Sequence, residues 1–156
     1  MVAAIARGTT IFRSVLGTLF LIGLATAHAS AADIEGKATV IDAGTIEIGS
    51  QRIRLYGIDA PAADQICAAD SKPWNCGQQA TWALAFELAE HWVICRNKGP
   101  GSATCFIGGS HDIAEIMVRK GWARANRQIS QDYVAMEIEA RGNRAGLWRG
   151  GPSSAP

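Results

Sequence analysis

Residues 37–61 read KATVIDAGTIEIGSQRIRLYGIDAP. Lys37 to Ile41, Thr45 to Ile48 and Arg52 to Ile58 are rich in β-branched residues and alternate apolar with polar positions. They are separated by the turn formers Asp42-Ala43-Gly44 and then Gly49-Ser50. Three strands in an antiparallel meander follow. Successive side chains on a strand point to opposite faces, so Ile46 and Ile48 share one face against Glu47, and Ile53 and Leu55 share one against Arg52, Arg54 and Tyr56. Arg54 is therefore expected to project away from the apolar face.

Downstream, a loop rich in Ala, Asp and Pro (60–75) leads into residues 78–92. There Trp82, Leu84, Ala85, Leu88 and Trp92 recur at helical spacing and predict a core-facing amphipathic helix. Residues 92–96 and 103–107 predict two further strands. Ser110 or His111 is expected to cap a helix through Lys120 that Gly121 ends, and a last helix runs from near Ser130 to Arg141. Three strands, a helix, two strands and two helices is the connectivity of a small Greek-key barrel of the OB type. The fold class is thus mainly β with α, a five-stranded OB-fold barrel plus three helices. Such barrels bind oligonucleotides or oligosaccharides, so architecture alone does not set the function.

The 156 residues are 48% apolar and 19% charged, which suits one globular domain and excludes a disordered or collagen-like chain. Ahead of the domain, Arg7 and Arg13 precede an apolar run from Val15 to Leu24 and the small-residue triplets Ala27-His28-Ala29 and Ala29-Ser30-Ala31. That run is too short for a spanning helix, which needs roughly 20 residues. Residues 1–32 therefore read as a cleaved secretory signal, 33–150 as the domain and 151–156 as a disordered tail. A periplasmic or secreted monomer without membrane association is expected. Losing Arg7 and Arg13 from 15 Lys and Arg leaves 13 against 14 Asp and Glu, which removes electrostatic support for general coating of nucleic acid. A basic C-terminal face stays open, because residues 116–156 carry 7 Lys and Arg against 3 acids.

A core this small gains from crosslinks in an oxidising compartment, so Cys67, Cys76, Cys95 and Cys105 read as disulfide formers. Three pairings are open to four cysteines, and locality favours Cys67 with Cys76 and Cys95 with Cys105. A zinc site fits less well, since there is no CxxC and neither His91 nor His111 stands at ligand spacing from them.

Several stretches in common order resemble the staphylococcal nuclease (thermonuclease) family from about Gly36 to Gly150. They are Val40 to Ile46, Ile53 to Pro61, Gln65-Ile66-Cys67 with Trp74-Asn75-Cys76-Gly77, Ala103-Thr104-Cys105, Val118 to Ala123, and Ala140-Arg141 with Gly146-Leu147-Trp148. The resemblance implies a Ca²⁺-dependent phosphodiesterase on an OB barrel. Two aspartates hold the metal, a glutamate activates water and two arginines meet the developing phosphate charge. A hard cation takes oxygen ligands, and a guanidinium fork matches phosphate geometry.

Carried over position by position, the match retains Arg54 as one catalytic arginine and Asp59 as one metal aspartate. The family's Asp-Gly-Asp-Thr turn reads Asp42-Ala43-Gly44-Thr45, so Gly44 stands at the first metal ligand. Ala60 replaces the threonine after Asp59, Ala62 replaces the general-base glutamate, and Pro100 replaces the second arginine. A positioned base is worth about 10²- to 10⁴-fold, and an arginine on phosphoryl charge roughly 10³- to 10⁵-fold. Ordinary cleavage is therefore expected to be impaired or absent, as in a pseudoenzyme. No cofactor is implied, save Ca²⁺ at Asp59 and Asp42 if a divergent site operates.

The leading functional reading is an exported binding or accessory module whose ligand is nucleic acid or an acidic oligosaccharide. It is similar to family members linked to exopolysaccharide (succinoglycan) production. The alternative is a divergent nuclease that hydrolyses DNA or RNA from Asp42, Asp59 and Arg54 with a relocated base, and a third reading is a structural envelope protein. Smaller expectations accompany these. Asp59 beside Pro61 reads as a turn cap, and Arg54 reads equally as an anion contact or as an ion-pair partner of Asp59 or Asp42. Trp82 and Trp92 read as core and Trp74 as an exposed stacking platform. Arg119, Lys120, Arg124, Arg127, Arg141, Arg144 and Arg149 read as a solvated surface on two helices. Arg96 and Lys98 reach a bound phosphate only if their loop folds back.

Overall fold

The computed structural model describes residues 33–151. The expected signal segment, and all of the expected tail except Gly151, lie outside the described residues. The elements are β1 (Ile34–Gly36), β2 (Ala38–Asp42), β3 (Thr45–Ile48), β4 (Gln51–Leu55), β5 (Ile58–Asp59), β6 (Cys67–Ala69), β7 (Lys72–Trp74), α1 (Cys76–Leu88), β8 (Val93–Gly99), β9 (Ser102–Ile107), β10 (His111–Asp112), α2 (Ile113–Arg119), β11 (Arg124–Ala125), α3 (Val134–Gly142) and a 3-10 turn (Gly146–Trp148).

The meander forms as read, with Val40 opposite Ile46 and Ile46 opposite Ile53. Strand order in the main sheet is β1-β8-β9-β4-β3-β2, with β10 beside β9. Among the described residues the one parallel pairing, β4 with β9, follows from the crossover through α1. The sheet curls until β1 reaches β3. A Cβ on Gly36 would come within 2.8 Å of Ile48 Cγ2, so this close approach requires a glycine. A sheet-dominated architecture of the OB type with three helices results. Unforeseen are β1 and the short ribbons β5–β11 and β6–β7, whose two- and three-residue strands carry too little periodicity to register.

Ile46, Ile53 and Leu55 from the meander meet Leu84, Val93, Ile113, Met117 and Val118 in the main core. The expected core role of Trp82 and Trp92 is overturned: they are 63% and 54% exposed. The row that α1 buries is Ala80, Leu84 and Leu88 at i, i+4 spacing, and Trp82 lies two residues off that row, on the far side of the helix. Helix α1 also ends at Leu88, so Trp92 is not on it.

The helix α2 is capped by Asp112, not by Ser110 or His111, because residues 111–112 pair with β9 and the helix starts only at Ile113. Asp112 Oδ1 accepts from Ala114 N–H at 2.8 Å and Oδ2 accepts from the Tyr133 hydroxyl at 2.8 Å. Burial raises the Asp112 carboxyl above its ordinary value of 3.8, although its hydrogen bonds from Tyr133, Ala114 and Glu115 pull the other way. Burial and the Asp112 carboxylate together push the Tyr133 phenol up. A carboxyl raised on folding holds its proton more tightly in the native state, so stability falls as pH rises from the ordinary carboxylate range through the raised value. Asp112→Asn, which keeps the capping oxygen, is expected to flatten that slope. Asp112→Ala should cost about 2 kcal/mol or more in urea titration, from the lost cap and the stranded buried phenol.

Cys67 is bonded to Cys76, and Cys95 to Cys105, so the local pairing is the one formed. The second bridge joins residues directly opposite each other on β8 and β9. The first anchors a small satellite core with Leu147, against which Trp74 and Trp122 pack. Replacing Cys67 and Cys76 together by Ala should lower the unfolding free energy by about 2–4 kcal/mol in the same titration. Two disulfides fit an extracellular or periplasmic protein. No described helix is long and apolar enough to cross a membrane.

The chain end closes this satellite core. Gly121, with φ +76°, ends the α2 region and accepts from Leu147 N–H at 2.8 Å. A Cβ at Gly121 would fall 2.3 Å from Ala145 O, and one at Gly146 would fall 2.5 Å from Gly121 O. The last turn seats backbone against backbone, which only this glycine pair permits.

Candidate functional site

Three loops converge beside β4, each tied by backbone hydrogen bonds. Leu55 N–H donates to Gly44 O at 2.9 Å, drawing in the β2–β3 turn, and Arg54 N–H donates to Gly101 O at 2.9 Å, drawing in the β8–β9 turn. The third loop carries Ala62. Gln65 N–H donates to Ala62 O at 3.0 Å, and Ala62 N–H donates to Gln65 Oε1 at 3.2 Å. Ala62 O fills the space a side chain would need at Gly77, where a Cβ would lie 1.8 Å away. This loop is thereby pressed onto the start of α1.

Between them lies a groove of about 570 Å³, into which Arg52 and Arg54 project from one face of β4. Its walls include Asp42, Gly44, Ala60, Ala62 and Pro100. The replacements Gly44, Ala60, Ala62 and Pro100 thus face one space, together with the retained Arg54. Arg54 is exposed and makes no ion pair among the described residues, so the expected partnership with Asp59 or Asp42 does not form. Arg52 lies 3.5 Å from Glu47 in an exposed pair worth little.

Asp59 is not brought to the groove. It pairs with Arg124 across the β5–β11 ribbon, and its Oδ1 accepts from Asn126 Nδ2 at 3.1 Å instead of capping its own turn. It lines a separate cavity beside that ribbon. Asp42 stays at the groove, but its Oδ1 accepts from Gly44 N–H at 2.8 Å. Calcium takes about six to eight oxygen ligands. The groove offers one carboxylate, already engaged, and among the described residues no three His, Cys, Asp or Glu side chains gather as a metal-binding group. The side chains present do not fit a resident calcium ion.

Arg96 and Lys98 do not fold back over the groove. They lie on β8, Arg96 5.0 Å above the Phe106 ring and Lys98 5.6 Å above that of Tyr56. Trp74 is no open platform: the Arg149 guanidinium covers its ring at 3.8 Å, and Trp122 stands 6.4 Å away. The late cations are not simply a solvated surface on two helices. Arg124 is on β11 and Arg127 follows it. Arg119 bridges Glu115 and Glu139, both at 2.8 Å.

A second cluster escaped the sequence reading. Glu137, on α3, is fully buried. Its Oε1 accepts from Arg141 Nη2 at 3.0 Å, and its Oε2 sits 2.7 Å from Arg127 Nη1 as an ion pair, off the hydrogen-bond direction. The signal was present. Glu137 lies midway between Val134 and Ala140 on one helical stripe, with Arg141 four residues on to compensate it.

Fold and groove together define an OB-type protein in which Arg54, Gly44, Ala60, Ala62 and Pro100 share one space. A sequence model of the staphylococcal nuclease homologue family matches residues 52–150, and the chain belongs to that family. It is also 32% identical over 150 residues to the succinoglycan biosynthesis protein ExoI of Rhizobium meliloti (strain 1021), an alignment covering 90% of this chain and 78% of that protein.

Proposed function

We propose that this protein is an exported accessory module that binds an anionic polymer in the Arg54 groove and does not cut phosphodiesters through calcium. One observation carries the reading: Gly44, Ala62 and Pro100 line the same groove as Arg54, while the Asp59 carboxylate is held by Asn126 outside it. Water activation needs a base within hydrogen-bond reach of the attacking oxygen, and alanine supplies none at position 62. What remains is an unpaired guanidinium, a second one beside it and one carboxylate, a net positive wall that favours phosphate or carboxylate groups. The relationship to ExoI suggests exopolysaccharide production as the setting.

The test is digestion of plasmid and single-stranded DNA in Ca²⁺, in Mg²⁺ and in EDTA, beside Arg54→Ala and Asp59→Ala. No metal-dependent cleavage is expected. Titration with oligonucleotides and acidic oligosaccharides at two salt concentrations should show salt-sensitive binding that Arg54→Ala weakens. Metal-dependent cleavage abolished by both substitutions would establish the divergent nuclease instead. Absence of any binding would leave a structural envelope protein.

A further inference from the structure

The cavity beside the β5–β11 ribbon has a volume of about 320 Å³, within the usual range for small-molecule sites, and every residue lining it except Ala125 is polar or charged. Arg124, Arg127 and Arg141 face it with Asp59 and Glu137, leaving one positive charge in excess. Two of the cations are already positioned. Arg127 and Arg141 are fixed by the buried Glu137, and Arg141 also lies 4.2 Å above the Trp148 ring. Arg124 has no side-chain partner among the described residues, so its fork is free. Arg141 Nε is buried with no hydrogen-bond acceptor. Its burial keeps it out of reach of a ligand oxygen, so the group open to a ligand here is the free Arg124 fork. The amide of Gln128 adds a neutral donor and acceptor on the same wall, and Ala125 is the sole apolar residue there.

We infer that this cavity is a second ligand site, separate from the Arg54 groove, that takes the carboxylate of an acidic sugar. The single excess positive charge matches a monoanion, whereas a phosphate monoester near its dianionic form would leave the cavity net negative. A wall that carries amides and charged side chains suits ring hydroxyls. The carboxylate bonds the free fork of Arg124 beside the charges of Arg127 and Arg141, and the ring lies toward Gln128.

The inference stands apart from the reading of the groove, and its probes are different. Glucuronate, glucose and glucose 6-phosphate are titrated into the protein while the arginine Nε–Hε NMR resonances are followed. Glucuronate is expected to shift the Arg124 resonance saturably, glucose to leave it in place, and glucose 6-phosphate to bind more weakly than glucuronate. Arg124→Gln should weaken glucuronate at least about tenfold with an unchanged melting temperature. Arg144→Gln, which removes the same charge outside the cavity, should leave the affinity as it was. Glucose binding as well as glucuronate, a preference for the phosphate, no saturable shift, or an Arg124→Gln variant of undiminished affinity would each overturn the assignment.

Discussion

Gly44→Asp, Ala62→Glu and Pro100→Arg installed together are expected to give Ca²⁺-dependent cleavage of DNA at least about 100-fold above that of the unsubstituted chain, measured as initial rates against an EDTA blank. The three positions face one groove with Arg54, so the missing ligand, base and arginine would return to a single space. The base alone accounts for that lower bound, and an arginine on the phosphate can add roughly 10³ more, although members of one catalytic unit do not contribute independently.

Two local obstacles set the size of the gain. A Cβ at position 44 would lie 3.1 Å from Ala60 Cβ, so that neighbour must yield by a few tenths of an ångström. Asp59 must also leave Asn126 and turn toward the groove, giving up a charge-assisted hydrogen bond worth about 1.5–3 kcal/mol. Adding Asn126→Ala to the triple variant should therefore lower the calcium concentration needed for half-maximal rate. A triple variant that cleaves no faster than the unsubstituted chain would place the loss in the loop backbones as well as in the side chains.

The second large effect concerns stability. Arg127→Ala combined with Arg141→Ala is expected to cost about 3–5 kcal/mol in urea titration, because it leaves a fully buried carboxylate with nothing to compensate it. Glu137→Gln should cost less, about 1–2 kcal/mol. It strands two guanidiniums, but their side chains are 46% and 38% exposed, and water can solvate them. Equal losses from the two changes would mean that packing, and not charge compensation, is what the cluster contributes.

The strand meander was legible because residues 37–58 combine period-two alternation with turn residues at both breaks, and the disulfides formed between the nearest cysteines. Motif order puts Arg54 and positions 44, 62 and 100 in the three stretches that line the groove. What the sequence did not carry was direction. Asp59 and Ala60 are neighbours, yet Ala60 lines the groove while Asp59 pairs with Arg124 and lines the cavity beside the ribbon. Helix α1 shows the same limit. Two interleaved apolar rows run along it, one ending in Leu88 and one through Trp82 and Phe86, and tertiary packing selected the smaller side chains. The buried Glu137 was missed because a carboxylate on an apolar stripe is ordinarily read as surface.

The closing turn at Gly146–Trp148 makes the far end of the domain a latch. Leu147 covers the Cys67–Cys76 bridge, and Trp148 lies beneath Arg141. A proteolytic nick near residue 145 would thus do more than trim a tail. It would admit reductants to one crosslink and release the arginine that faces the second cavity, so degradation from that end and loss of ligand would proceed together.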